Sequence, residues 1–169
     1  YILYFQEPGV AEAELDPNAR ALMRRMLYTA SGSLAPGETW KFDLPNTAKF
    51  MDGMLDPEKL PGWLAEADLD VYASEFERTG FRGGLNWYRN FDRNWETAPD
   101  IGAKPIEVPC LMVCAAWDPV LRPEMAAAMP MLCRDLETQT IERCGHWTQQ
   151  ERPDELNRLL LDWLQRRIA

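Results

Sequence analysis

Among 169 residues there is one histidine, His146, so any imidazole chemistry within this chain falls to that side chain. Basic residues are also scarce: 18 Lys and Arg stand against 27 Asp and Glu, for a net charge of -9. Nucleic acid is therefore excluded as a partner, because neutralising phosphates needs clustered cations. The short basic pairs Arg24-Arg25 and Arg166-Arg167 read as solvated helix faces. Long apolar runs are missing, and the longest, around 108–117, falls well short of the ~20 residues that cross a bilayer. No membrane association is expected. The first residues, YILYFQEPGV, lack the basic and small-residue features of a signal peptide. The four cysteines (Cys110, Cys114, Cys133 and Cys144) match no zinc spacing, so no metal is expected. If Cys110 and Cys114 share a strand, their Cα atoms lie roughly 13 Å apart at ~3.3 Å per residue, too far for a disulfide. Reduced thiols in a cytoplasmic protein are the simplest reading. Internal repeats and low-complexity tracts are absent as well.

What remains is the composition of an ordinary globular chain, 46% apolar and 27% charged. Position 1 is tyrosine, not methionine, and the polypeptide is expected to begin further upstream. Residues 1–100 read as helices and loops. Asp16-Pro17 has the form of a helix start, with the aspartate as cap. Leu22, Met23, Met26 and Leu27 then recur at helical spacing, and Gly32 ends the run. From 33 to 61, Pro36, Gly37, Pro45, Gly53 and Pro57 point to a long loop with short turns. A second helix is expected over 68–78, stopped by Gly80, and a third over 85–95, with Leu85, Tyr88, Phe91 and Trp95 near one face.

Beyond Pro105 the pattern changes. VPCLMVCAAWD, at 108–118, reads as a strand buried on both faces. A helix is expected over 122–133, with Pro123 near its start. LETQTIERCGHW, at 136–147, reads as a second, more alternating strand. The final helix, from 154, carries Leu156, Leu159, Leu160, Trp163, Leu164 and Ile168 on one stripe that should pack on a sheet. Strand, helix, strand, helix implies parallel strands with crossovers. Two parallel strands need neighbours at their edges and cover on their faces. The fold class is therefore α/β with an incomplete sheet, in which residues 1–100 form a helical domain and 101–169 two parallel strand-helix units.

Asp118 and His146 each follow a strand, at the end of an α/β sheet where ligands bind. An acid and then a histidine is also the tail of the order nucleophile, acid, histidine found in α/β-hydrolases. There the carboxylate holds one ring nitrogen and the other acts as base. Position alone leaves a structural histidine beside a buried aspartate equally open.

Four blocks go further. CGHWTQQERP at 144–153, AAWDPVL at 115–121, YxxYFQEPGVAEAEL at 1–15 and GFRGGLNWYRNFDRNW at 80–95 together resemble the soluble epoxide hydrolases of the α/β-hydrolase fold. The blocks run from the first residue to the start of the final helix and contain rare residues in order. The resemblance implies that 1–100 is the lid, or cap, and that 101–169 is the C-terminal part of the hydrolase core. It implies that Tyr1 and Tyr88 donate hydrogen bonds to the epoxide oxygen, with Tyr4 the alternative to Tyr1. His146 becomes the general base and Asp118 its orienting acid. Phe5, Met26, Val120 and Trp147 match positions that line the substrate pocket, although each could equally be ordinary core. The family reaction passes through an alkyl-enzyme ester on an aspartate and needs water but no cofactor.

The nucleophile does not match. No HGxP motif occurs, and no glycine-flanked aspartate sits on a turn after a buried strand; Asp92 and Asp100 are poor substitutes. The chain is thus expected to be the C-terminal portion of a longer enzyme, partnered by the N-terminal part of the same protein and inactive without it. Two rival readings stand beside this one. A haloalkane dehalogenase shares the fold, nucleophile and base but has less use for paired phenols. A non-catalytic binding relative would have no need of the two phenols, the acid and the histidine together.

Overall fold

Gly9 opens the first helix. It lies in the left-handed region (φ 89°), and its N–H donates to the Glu12 carboxylate at 2.9 Å. Helix α1 (Val10–Leu15) follows, then a 3-10 turn at Asp16–Asn18 and α2 (Ala19–Thr29). The structure is a computed structural model and describes residues 1–45, 47–98 and 100–168. It divides into two units: Tyr1–Thr29 with Thr39–Pro99, and Ala30–Glu38 with Asp100–Ala169. The nine residues from Ala30 to Glu38 thus group with the second half of the chain, which the sequence pattern does not reveal.

In the first unit α2 packs against α3 (Glu66–Thr79). Leu22, Met23 and Leu27 on one side and Leu69 and Ala73 on the other are buried. Each large apolar side chain so removed from water contributes about 1.5–3 kcal/mol. Asp16 does not cap the helix that follows it, as the sequence suggested. Its carboxylate accepts the Phe81 N–H at 2.9 Å, which secures the start of α4 (Arg82–Arg89). Gly80 ends α3 as expected, in a conformation (φ 68°) that side chains rarely adopt. The third expected helix is two: α4 is followed by α5 (Phe91–Thr97), with the break at Asn90. The Asn90 amide donates to the Asn86 carbonyl at 2.7 Å, the kind of local competition that makes asparagine a poor helix interior. The stretch expected to be loop is irregular apart from a 3-10 turn at Phe50–Gly53.

The second unit contains two strands among the described residues, β1 (Cys110–Ala115) and β2 (Leu136–Ile141). They pair in parallel, Cys110 opposite Leu136 through Ala115 opposite Ile141. The sheet is as narrow as the sequence implied. Only Cys114 and Ala115 of β1 are buried, while 110–113 are half-buried, because one neighbouring strand cannot cover both edges. The crossover at Pro123–Met131 is a 3-10 helix, not the expected α-helix; Pro130 within it has no N–H to donate. Short α6 (Thr148–Glu151) leads into α7 (Pro153–Ile168). Of the expected stripe on α7, Leu156 is buried and Leu159 packs with it on Ala115, Ile141 and Cys144. Leu160 and Leu164 remain exposed, since two strands about 4.8 Å apart offer little width to a helix of this length. The Ile168 side chain lies outside the described residues. Among the described residues no helix is long and apolar enough to cross a membrane.

Candidate active site

Each unit gathers part of the expected chemistry. In the second, the parallel ladder continues past the ends of the strands. The Ala116 N–H donates to the Ile141 carbonyl at 3.0 Å and the Trp117 N–H to the Cys144 carbonyl at 2.9 Å. This stitching carries Asp118 and His146 to the same end of the sheet. Asp118 Oδ2 lies 2.9 Å and Oδ1 3.1 Å from His146 Nδ1. Oδ1 also accepts the N–H groups of Val120 and Leu121 at 2.8 and 2.9 Å. Burial alone would raise this carboxyl, but the histidine and the two N–H donors outweigh it and hold the acid below its ordinary range. Asp118 is therefore an anion that selects the Nδ1–H tautomer and leaves the Nε2 lone pair as a base. The His146 side chain keeps 27% of its surface exposed, enough for a water molecule to reach it.

The loop bearing His146 is fixed by a residue that the sequence reading passed over. Glu151 is buried, and its Oε2 accepts the N–H groups of Gly145 at 2.9 Å and Gly32 at 2.8 Å. Its Oε1 accepts the Trp147 N–H at 3.1 Å. The carboxylate thus grips the backbone on both sides of the imidazole. The His146 N–H itself donates to the Ala30 carbonyl at 2.8 Å. The segment from Ala30 approaches so closely that a Cβ on Gly145 would lie 2.3 Å from the Gly32 nitrogen. A glutamate five residues past the histidine, within the CGHWTQQERP block, was the available signal. Replacing Glu151 with Gln turns an acceptor-only carboxylate into an amide and should lower histidine-dependent hydrolysis ~10-fold or more in the complete protein, with only a modest loss of Tm. An unchanged hydrolysis rate in pre-steady-state kinetics would refute that role. Trp147 stands edge-on to His146, ring centroids 5.0 Å apart at 84°, and Val120 is half-buried in the Asp118 turn.

In the first unit the two expected phenols meet. The rings of Tyr1 and Tyr88 lie edge to face, centroids 5.7 Å apart at 82°. Phe5 is buried and touches both, at 5.7 Å from Tyr1 and 5.1 Å from Tyr88. Burial, and then the neighbouring Tyr1, raise the Tyr88 phenol above its usual value, which keeps it a proton donor. No hydrogen bond among the described residues engages either hydroxyl. Tyr4 is different. Its hydroxyl donates to Glu14 at 2.7 Å, and Glu14 also accepts the N–H groups of Phe50 and Met51, so that phenol braces the fold. Trp95, expected near one face with Tyr88, is 81% exposed, and Trp87 is 78% exposed. Met26 is half-buried on α2 and makes no ring contact with the phenols. A cavity of about 630 Å³ opens beside Tyr1, walled by Trp40, Phe42, Leu44 and Phe50. Those four come from the segment read as loop, where irregular spacing concealed an aromatic wall. Among the described residues no cluster of His, Cys, Asp or Glu could hold a metal ion.

Known proteins resemble this chain in sequence and in fold. The profile described as "Alpha/beta hydrolase family" matches residues 7–159. The chain is 45% identical to epoxide hydrolase A of Mycobacterium tuberculosis over 97% of its own length and 51% of that protein's. Its identity to bifunctional epoxide hydrolase 2 of Mus musculus is 42%, over 99% of the chain and 30% of the relative. The crystal structure of epoxide hydrolase A from Mycobacterium thermoresistibile superposes with a TM-score of 0.87 at 45% identity, covering 98% of this chain and 51% of that one. The chain therefore spans about half the length, or less, of these relatives.

Proposed function

The chain belongs to the α/β-hydrolase family, and from that premise we propose that it carries the base, the acid and the two proton-donating phenols of an epoxide hydrolase. In this reading an aspartate outside these residues attacks an epoxide carbon. The C–O bond breaks, the electron pair goes to the ring oxygen, and a proton from Tyr1 or Tyr88 neutralises it. The product is a hydroxyalkyl ester of the aspartate. His146 Nε2 then takes a proton from water, and the resulting hydroxide attacks the ester carbonyl. Asp118 stabilises the imidazolium that forms. The vicinal diol leaves, and the proton on His146 returns to solution as the phenol is restored.

The observation that carries the epoxide reading is the pair of phenol rings with centroids 5.7 Å apart, whose hydroxyls no hydrogen bond engages among the described residues. An alkoxide is a poor leaving group that needs a proton, whereas a departing halide is stabilised without taking one and makes less use of paired phenols, and this separates the reading from a dehalogenase. Phe5, Val120 and Trp147 serve as apolar substrate contacts by their places beside the phenols and the acid–histidine pair, and Met26 by the family pattern alone. No organic cofactor takes part. The free cysteines fit a cytoplasmic location for the complete protein.

We expect the complete protein to convert a styrene-oxide-type substrate to its diol and the isolated 169-residue chain to form none, because the chain lacks an elbow aspartate. Chiral chromatography of the products checks both. Sustained diol formation by the isolated chain would overturn the division of labour, and a complete protein that releases halide but opens no epoxide would transfer it to the dehalogenases.

A further inference from the structure

We propose that Arg89 and Glu12 form a clamp that fixes the spacing of the two phenols, making both of them positioning residues for ring opening. The proposal rests on the epoxide hydrolase reading and adds to it a means by which the donors hold their geometry.

Arg89 follows Tyr88 directly, so the two side chains leave the same last turn of α4. Its Nε donates to the Phe5 carbonyl at 2.8 Å, and the Phe5 N–H donates to the Tyr1 carbonyl at 3.0 Å. Tyr1, Phe5, Arg89 and Tyr88 are thereby joined in a closed circuit, completed by the edge-on contact of the two phenol rings. Gln6 adds a second tie, its amide donating to the carbonyls of Ile2 at 2.8 Å and Tyr88 at 3.3 Å.

The guanidinium could swing if nothing held its far side. Glu12 does so. Its two oxygens accept from Arg89 at 2.7 and 2.8 Å, the fork-to-fork geometry that fixes orientation as well as charge. Glu12 is in turn anchored by the Gly9 N–H at 2.9 Å. The Arg89 hydrogen bonds pull this carboxyl down to about 2 against the opposing effect of burial, so the pair persists across any working pH. Burial sets it apart from the other ion pairs of this unit. The side chains of Arg89 and Glu12 are 12% and 10% exposed, whereas those of Arg20 and Glu66 are 46% and 64% exposed. A desolvated pair is a poor source of net stability, and a geometric role accounts for its place beside the phenols.

The test uses the complete protein and two readouts. One is the single-turnover rate of alkyl-enzyme formation with a styrene-oxide-type substrate, followed by the rate of ester hydrolysis. The other is the tyrosinate absorbance titration of Tyr88, assigned by subtracting a Y88F curve. R89Q leaves the buried Glu12 carboxylate with only the exposed Arg82, 3.6 Å away, as a cationic partner and could fail to fold; E12M/R89M removes both charges of the clamp and keeps the volume apolar. E12M/R89M should alkylate about 10- to 100-fold more slowly, the effect expected of reacting groups displaced by ~1 Å. Its hydrolysis step, set by His146, should stay within about twofold of the parent, and the Tyr88 midpoint should fall toward that of an ordinary phenol. R20Q, which breaks the exposed pairs to Glu66 and Asp70, should change neither rate. A folded E12M/R89M protein with the parental alkylation rate and an unmoved Tyr88 titration overturns the clamp. If the parent protein alkylates no epoxide, the functional reading fails while the titration still decides the clamp: a lowered midpoint supports it and an unchanged one ends it.

Discussion

Replacing His146 with Gln in the complete protein should reduce steady-state diol formation by at least ~10³-fold, the upper part of the range for loss of a general base. The chain has no second imidazole, so nothing within it can take over the task. Asp118→Asn should cost less, on the order of 10²-fold, the lower part of the same range. The amide can still accept the Val120 and Leu121 N–H groups that shape the turn. It can also donate to Nδ1, which favours the tautomer with the proton on the wrong nitrogen. Measured kcat values for the two variants check the order. A His146→Gln protein within tenfold of the parent would remove the histidine from the mechanism.

The second large effect is expected of the phenols, and at a different step. Loss of one preorganised donor to a developing oxyanion costs about 10²- to 10³-fold. Tyr88→Phe should therefore slow alkylation by roughly that factor, and Tyr1→Phe/Tyr88→Phe should abolish measurable ring opening. The pH profile adds a check. Burial first, and Tyr1 second, raise the Tyr88 phenol, so the alkaline loss of alkylation should fall above pH ~10. Tyr1→Phe removes the second contribution and should move that limb to lower pH. An alkylation rate indifferent to both substitutions would return the two tyrosines to the role of ring packing, alongside Phe5 and Phe50.

The elements legible in the sequence were those whose periodicity answered to their own unit. The α2 stripe of Leu22, Met23 and Leu27 is buried as its spacing implies, and the two short strands pair in parallel. The acid–histidine pair could be read because each residue follows its strand, and main-chain bonds beyond the strands bring the two together. What escaped was tertiary. Asp16 has the chemistry of a cap, but its carboxylate serves the start of a helix 65 residues later. Ala30–Glu38 belongs with the strands through contacts such as His146 to Ala30, which no local pattern encodes. The α7 stripe is longer than two strands can cover, so Leu160 and Leu164 stay exposed. Glu151, Glu12 and Arg89 were hidden for a shared reason: a charged side chain on a helix reads as surface until its partners are seen.

The claim on which the account depends is that His146 acts only after a covalent ester has formed on a carboxylate outside this chain. Intact-mass spectrometry of the complete His146→Gln protein, mixed with excess epoxide, tests it directly. The mass should rise by that of one epoxide molecule within the parental single-turnover time, and the adduct should persist. An unmodified protein, or one that still releases diol at the parental rate, would contradict the mechanism.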